Sequence, residues 1–141
     1  MKIALGCDHG GLDLKLLVVD FLSKRNVEVV DSGCHSLESV DYPCYAEKVC
    51  GLISSGDCER GILICGTGIG MSIAANRYRH IRAALCHESF TARMSREHNN
   101  SNVLCLGARV LGTEVALDIV RVWLESEFGD GRHQRRLDML K

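Results

Sequence analysis

The chain has 141 residues, 46% of them hydrophobic and 25% charged, which is the size of one domain spanning 1–141 with enough apolar material for a real core. Its 17 basic and 18 acidic residues nearly cancel, so no global field points to nucleic acid or to an anionic membrane, and any anion recognition has to be local. The eight cysteines form no CxxC pair and sit mostly in apolar runs, which reads as reduced core thiols of a cytoplasmic protein rather than a disulfide framework or a thiol redox centre.

No secretory h-region precedes the first apolar run, so a cytoplasmic location is expected. Short β-rich runs at Lys2–Cys7, Val27–Ser32, Gly61–Cys65, Ile81–Cys86 and Val103–Gly107 predict five strands. Helical periodicity falls between and after them, at Leu12–Lys24, Tyr42–Ser54, Gly70–Asn76, Ser89–His98 and Thr113–Glu127. The most apolar stretch, Ile62–Ala75, holds three glycines and falls short of the roughly 20 residues that span a bilayer, so no membrane segment is expected. Strict alternation of strands and helices implies an α/β, Rossmann-like three-layer sandwich: a five-stranded parallel sheet with helices on both faces. The polar tail after Glu127, FGDGRHQRRLDMLK, has too few leucines for a core helix and is expected to form a C-terminal arm or helix.

In such sheets ligands bind beyond the carboxyl ends of the strands, where the unusual residues of this chain cluster. The sequence ICGTGIGMSIAAN, Ile64 to Asn76, runs from a buried strand through three alternating glycines into a helix. Glycines there permit close backbone approach, and the free amides of such a loop can cradle an anion. The pattern is GxGxG, neither a dinucleotide fingerprint nor a Walker loop, and a tight turn without a ligand would leave the same trace. Cys65 stands apart from the other cysteines because it ends a strand at this loop, where a thiolate becomes a usable base or nucleophile. Thr67, two residues on, can relay a proton or bond a sugar hydroxyl.

GCDHGG places Asp8 and His9 at the mouth of the first strand, either to orient a ligand or simply to cap the first helix. SREHNNSN puts His98 and Asn99 at the end of the fourth helix, where an imidazole can serve as acid or base or merely face solvent. Arg109, Arg132 and Arg136 are planar forks suited to phosphate, the last two spaced i, i+4. No His, Cys, Asp or Glu cluster has metal-ligand spacing, so neither a metal nor a nucleotide cofactor is expected.

GCDHGG, DYP, GILICGTGIGMSIAAN, SREHNNSNVL, GARV and DGRHQRR occur in the order seen in the ribose-5-phosphate isomerase B and galactose-6-phosphate isomerase family, which the chain resembles over essentially its whole length. It resembles the subgroup with a cysteine rather than a glutamate as base. The resemblance implies a cofactor-free aldose–ketose isomerase of the pentose phosphate pathway, working through a cis-enediolate with Cys65 as the base. It implies that Thr67 and His98 assist ring opening, His98 as proton donor, and that the backbone amides of Gly66, Thr67, Gly68, Ile69 and Gly70 hold the enediolate oxygen. Asp8, His9, Tyr42 and Asn99 would then meet sugar hydroxyls, and His9, Arg109, Arg132 and Arg136 the phosphate. The same resemblance implies a homodimer, or a tetramer built from it, whose sites take residues from two subunits. Cys44 after DYP and the short tail beyond Arg136 depart from the family pattern without touching these roles. Ribose 5-phosphate is the expected substrate. Galactose 6-phosphate and allose 6-phosphate share the same chemistry, and a non-catalytic sugar-phosphate sensor would need the arginines but not Cys65, Thr67 and His98 together.

Overall fold

A computed structural model describes residues 1–140. Its strands are β1 (Lys2–Cys7), β2 (Glu28–Asp31), β3 (Arg60–Cys65), β4 (Ala83–Leu85) and β5 (Val103–Gly107), with helices α1 (Leu12–Ser23), α2 (Tyr42–Ser54), α3 (Ile69–Ala75), α4 (Ser89–Glu97), α5 (Thr113–Glu125) and α6 (Arg132–Leu137). The strands form one parallel sheet in the order β2-β1-β3-β5-β4, as expected for alternating strands and helices. Among the described residues no helix is long and apolar enough to cross a membrane.

Side chains alternate across the pleat and so divide the core in two. Ile3, Leu5, Ile62, Ile64, Leu104 and Leu106 face α1, α4 and α5, where Val18, Leu22, Ile119 and Trp123 are fully buried. Ala4, Leu63, Cys65, Val103 and Cys105 face α2 and α3, against Val49, Cys50, Met71 and Ala75. Seven of the eight thiols are buried, Cys44 is exposed, and all are unpaired. Burial pushes the thiols of Cys50 and Cys86 up to about 11, which suits hydrophobic filler rather than chemistry.

Several boundaries differ from the sequence-based ones, each for a local reason. β4 is cut from Ile81–Cys86 to three residues because Arg82 N–H donates to Asn102 Oδ1 and Ala83 N–H to Asn76 Oδ1, which diverts the donors of this edge strand. β2 starts at Glu28 because Val27 N–H donates to Leu22 O and closes α1 instead. α5 stops at Glu125 because Ser126 turns extended while its hydroxyl donates to Val122 O. The arm contains a short helix, α6, with no buried residue.

One buried charge carries no signal in the helical pattern. Lys15 on α1 is fully buried, and its ammonium donates to Asp31 Oδ1 at 2.8 Å and to Cys34 O at 2.6 Å. Asp31 Oδ1 also accepts Gly33 N–H, so the lysine ties α1 to the turn that follows β2. Replacing Lys15 by Met strands Asp31 and the Cys34 carbonyl without their cation. The expected loss is about 3 kcal/mol, at the low end for a broken buried pair because Asp31 keeps some solvent contact. The urea unfolding midpoint measures it, and a shift equivalent to less than about 0.5 kcal/mol would assign Lys15 to a solvated face.

Candidate active site

The strand β3 ends at Cys65, 5% exposed, and its Sγ accepts the Gly68 N–H at 3.1 Å. That geometry depends on glycine at two places. Gly68 has φ 76°, and a Cβ there would lie 2.6 Å from Leu85 Cδ1 and 2.9 Å from the Leu106 carbonyl carbon. At Gly70 a Cβ would enter the ring of Tyr42 at 2.7 Å, so the tyrosine at the start of α2 lies directly on the first turn of α3. Thr67 is exposed, and its Oγ1 accepts the Ile69 N–H at 3.3 Å, leaving its own proton free to donate.

Beside this loop, β1 runs into a single 3-10 turn, His9–Gly11, capped by the Asp8 carboxylate accepting Gly10 N–H at 2.9 Å. Asp8 thus caps this turn rather than α1 itself, whose N-cap Gly11 carries no side-chain bond, and the turn holds the carboxylate next to the Cys65 loop. A Cβ built on Gly10 would lie 3.4 Å from Arg109 Nη2 and 3.5 Å from the Gly66 nitrogen. The Arg109 backbone N–H donates to Gly66 O at 2.9 Å, which folds the arginine over the glycine loop. His9 Nδ1 accepts the Val40 N–H at 3.2 Å, which in the neutral ring puts the proton on Nε2, a donor for a ligand. Asp8, His9, Tyr42, Cys65, the 66–70 loop and Arg109 thus share the carboxyl edge of the sheet.

His98, Asn99, Arg132 and Arg136 do not join them within the chain. Helix α4 runs back against the strands, so His98, its C-cap, lies at the amino edge beside the start of β5. Asn102 O accepts from Gly61 N at the start of β3, and Arg82 Nε donates to the carbonyls of Asn99 and Asn100. Arg96, 5% exposed, clamps this corner by donating to Ser101 O at 2.6 Å, Asn100 Oδ1 and Ser126 O. Burial, followed by Arg60 and Arg82 nearby, lowers its guanidinium to about 10. Helix α6 docks at the same corner, with Gly129 N–H on Glu97 O and the His133 ring stacked on His98. The length of β5 alone separates the two groups by on the order of 15 Å at ~3.3 Å per residue. The two groups are thus apart, with the thiol, Thr67 and Arg109 at one edge and the imidazole and two arginines at the other. His133 was not among the residues singled out from the sequence; its position inside DGRHQRR, between two phosphate-type arginines, was the available signal.

Comparison with known proteins identifies the family. The family model described as Ribose/Galactose Isomerase matches residues 3–140. Ribose-5-phosphate isomerase B of Escherichia coli (strain K12) is 50% identical over 99% of this chain and 93% of its own length. D-erythrulose-4-phosphate isomerase of Pectobacterium atrosepticum is 42% identical over 93% of this chain and 87% of its own. The structure of Clostridium thermocellum ribose-5-phosphate isomerase B superposes with a TM-score of 0.97 at 57% identity, covering 98% of this chain and 93% of that one. The chain belongs to the ribose/galactose isomerase family.

Proposed function

We propose that the chain is a cytoplasmic, cofactor-free aldose–ketose isomerase interconverting ribose 5-phosphate and ribulose 5-phosphate, with each active site assembled from two copies. The observation that carries the reading is the Cys65 thiol at the carboxyl end of β3, held by a loop amide beside Asp8 and Arg109. That is a base in one mouth with hydroxyl partners and an anion clamp; a sensor would need the last two but not the base.

The furanose first opens: His98 gives a proton to the ring oxygen and the C1–O ring bond breaks, while the C1 hydroxyl loses its proton through the exposed Thr67 hydroxyl, which takes it up as it passes its own proton on to solvent, to give the aldehyde. Cys65, as thiolate, removes the C2 proton, and the electron pair moves through C1–C2 onto O1 to form a cis-enediolate. The free amides of the Gly66–Gly70 loop stabilise that oxygen. The proton of the C2 hydroxyl passes to O1, Cys65 returns its proton to C1, and the ketose results. Asp8, His9, Tyr42 and Asn99 orient the hydroxyls, and Arg109, Arg132 and Arg136 with His9 hold the phosphate.

His98, Asn99 and the α6 arginines reach this mouth only from a second chain, because their own chain carries them to the far edge of the sheet. A homodimer of isologous type supplies two such sites at once. The relative named for a four-carbon substrate shows that members of the family differ in chain length of sugar, so the substrate is settled by rates. With ribose 5-phosphate, erythrose 4-phosphate, allose 6-phosphate and galactose 6-phosphate compared side by side, kcat/KM is expected to be at least about tenfold higher for the pentose. A higher value for either hexose phosphate would move the assignment to the alternative substrate class.

A further inference from the structure

The stacked imidazoles at the amino edge hold a residue to which the reaction scheme gives no role. The rings of His98 and His133 lie 4.3 Å apart between centroids and 16° from parallel. Their meeting is set by backbone rather than chance contact. Gly129 N–H donates to Glu97 O at 2.9 Å, and a Cβ on Gly129 would lie 3.1 Å from that oxygen and 3.4 Å from His133 Cδ2. The chain then reverses through two left-handed residues, Asp130 at φ 51° and Gly131 at φ 57°, and His133 N–H closes the turn on Asp130 O. The result delivers the His133 ring flat against a side chain 35 positions earlier.

We propose that His133 is a positioning residue for His98: its ring fixes the plane in which His98 presents its proton to the substrate ring oxygen. This rests on the reading of His98 as the ring-opening acid. Among the described residues no side-chain hydrogen bond orients His98 at the end of α4, and a solvent-facing imidazole turns freely about χ2. A parallel ring in contact removes that freedom, as offset aromatic pairs do. Charged and titratable groups from both helices face His133. On α4 these are His98 and Glu97, on α6 Arg132 and Arg136; desolvation, His98 and the two arginines hold its pKa below the usual histidine value, with only Glu97 opposing.

The substrate pair itself separates ring opening from proton transfer. Ribulose 5-phosphate cannot close a furanose, because O5 carries the phosphate, so entry of deuterium at its C1 from D2O reports enolisation alone. Turnover of ribose 5-phosphate needs ring opening as well. His98→Asn is expected to lower pentose turnover about 10²-fold while C1 exchange stays within about threefold. His133→Ala should lower turnover about tenfold with the same sparing of exchange, and His133→Phe, which keeps a flat ring against His98, should stay within about twofold on both. If His98→Asn shows the selective loss and His133→Ala does not, the positioning role is wrong and the reading of His98 stands. A Phe variant as impaired as the Ala variant would also overturn the positioning role. If His98→Asn spares turnover or depresses both rates alike, the ring-opening assignment fails and the inference falls with it.

Discussion

A Cys65→Ala protein is expected to bind ribose 5-phosphate within a few-fold of the wild-type affinity and to lose isomerisation by about 10⁴-fold, the upper end of what a general base contributes. The thiol sits at 5% exposure at the end of β3 and receives only the Gly68 N–H, so its removal takes a proton acceptor from the mouth while the Asp8 carboxylate and the Arg109 clamp remain. Exchange of the ribulose 5-phosphate C1 hydrogen with solvent should stop in parallel with turnover, because both need the same base. Cys44→Ala, at an exposed thiol, serves as the control and should behave as wild type. Stability should change little, since the residue is small and the loop is held by Arg109 N–H on Gly66 O as well. If the alanine protein still exchanged the C1 hydrogen at a near wild-type rate, the base would have to be another group.

The double variant Arg132→Ala, Arg136→Ala is expected to show the opposite signature. Both residues lie on α6, which buries none of its side chains, so the fold should survive their loss. Charge-assisted bonds to a phosphate contribute roughly 1.5–3 kcal/mol each, and shared binding makes two of them less than additive. KM for ribose 5-phosphate should therefore rise about 10²- to 10³-fold with a smaller fall in kcat. Unphosphorylated ribose, whose poor turnover owes nothing to the clamp, should be processed equally by variant and wild type. An unchanged KM for the phosphate ester would remove α6 from the site.

Much of this was legible because the fold writes itself in short-range patterns. Ile62, Leu63, Ile64 and Cys65 alternate into the two cores, and three glycines follow where backbone, Tyr42 and Arg109 crowd the chain. Alternating elements also fix which edge each loop occupies, so Asp8, Cys65 and Arg109 could be brought together before any coordinates. What the sequence does not display depends on distant partners. β4 is short because Asn76 and Asn102 take donors that its own residues do not advertise. Lys15 looks like any solvated helix lysine, and Asp31 at the end of β2 and Cys34 O in the turn after it make it a buried one. The helix in the arm has no apolar stripe, since what seats it is Glu97 O and an imidazole face on α4. His133 escaped notice for the same reason: a stack between residues 98 and 133 has no period.

The claim that one site takes its parts from two chains is tested most directly by mixing two inactive proteins. Cys65→Ala lacks the base and keeps the arm; Arg132→Ala, Arg136→Ala keeps the base and lacks the arm. After subunit exchange, verified by mass spectrometry of the intact dimer, each heterodimer should hold one site with both defects and one with neither. Activity at low ribose 5-phosphate concentration should climb from near zero toward half the wild-type value per heterodimer. Demonstrated exchange with no return of activity would mean that each arm serves its own chain, and the shared site proposed from the opposite placement of Cys65 and His98 would be contradicted.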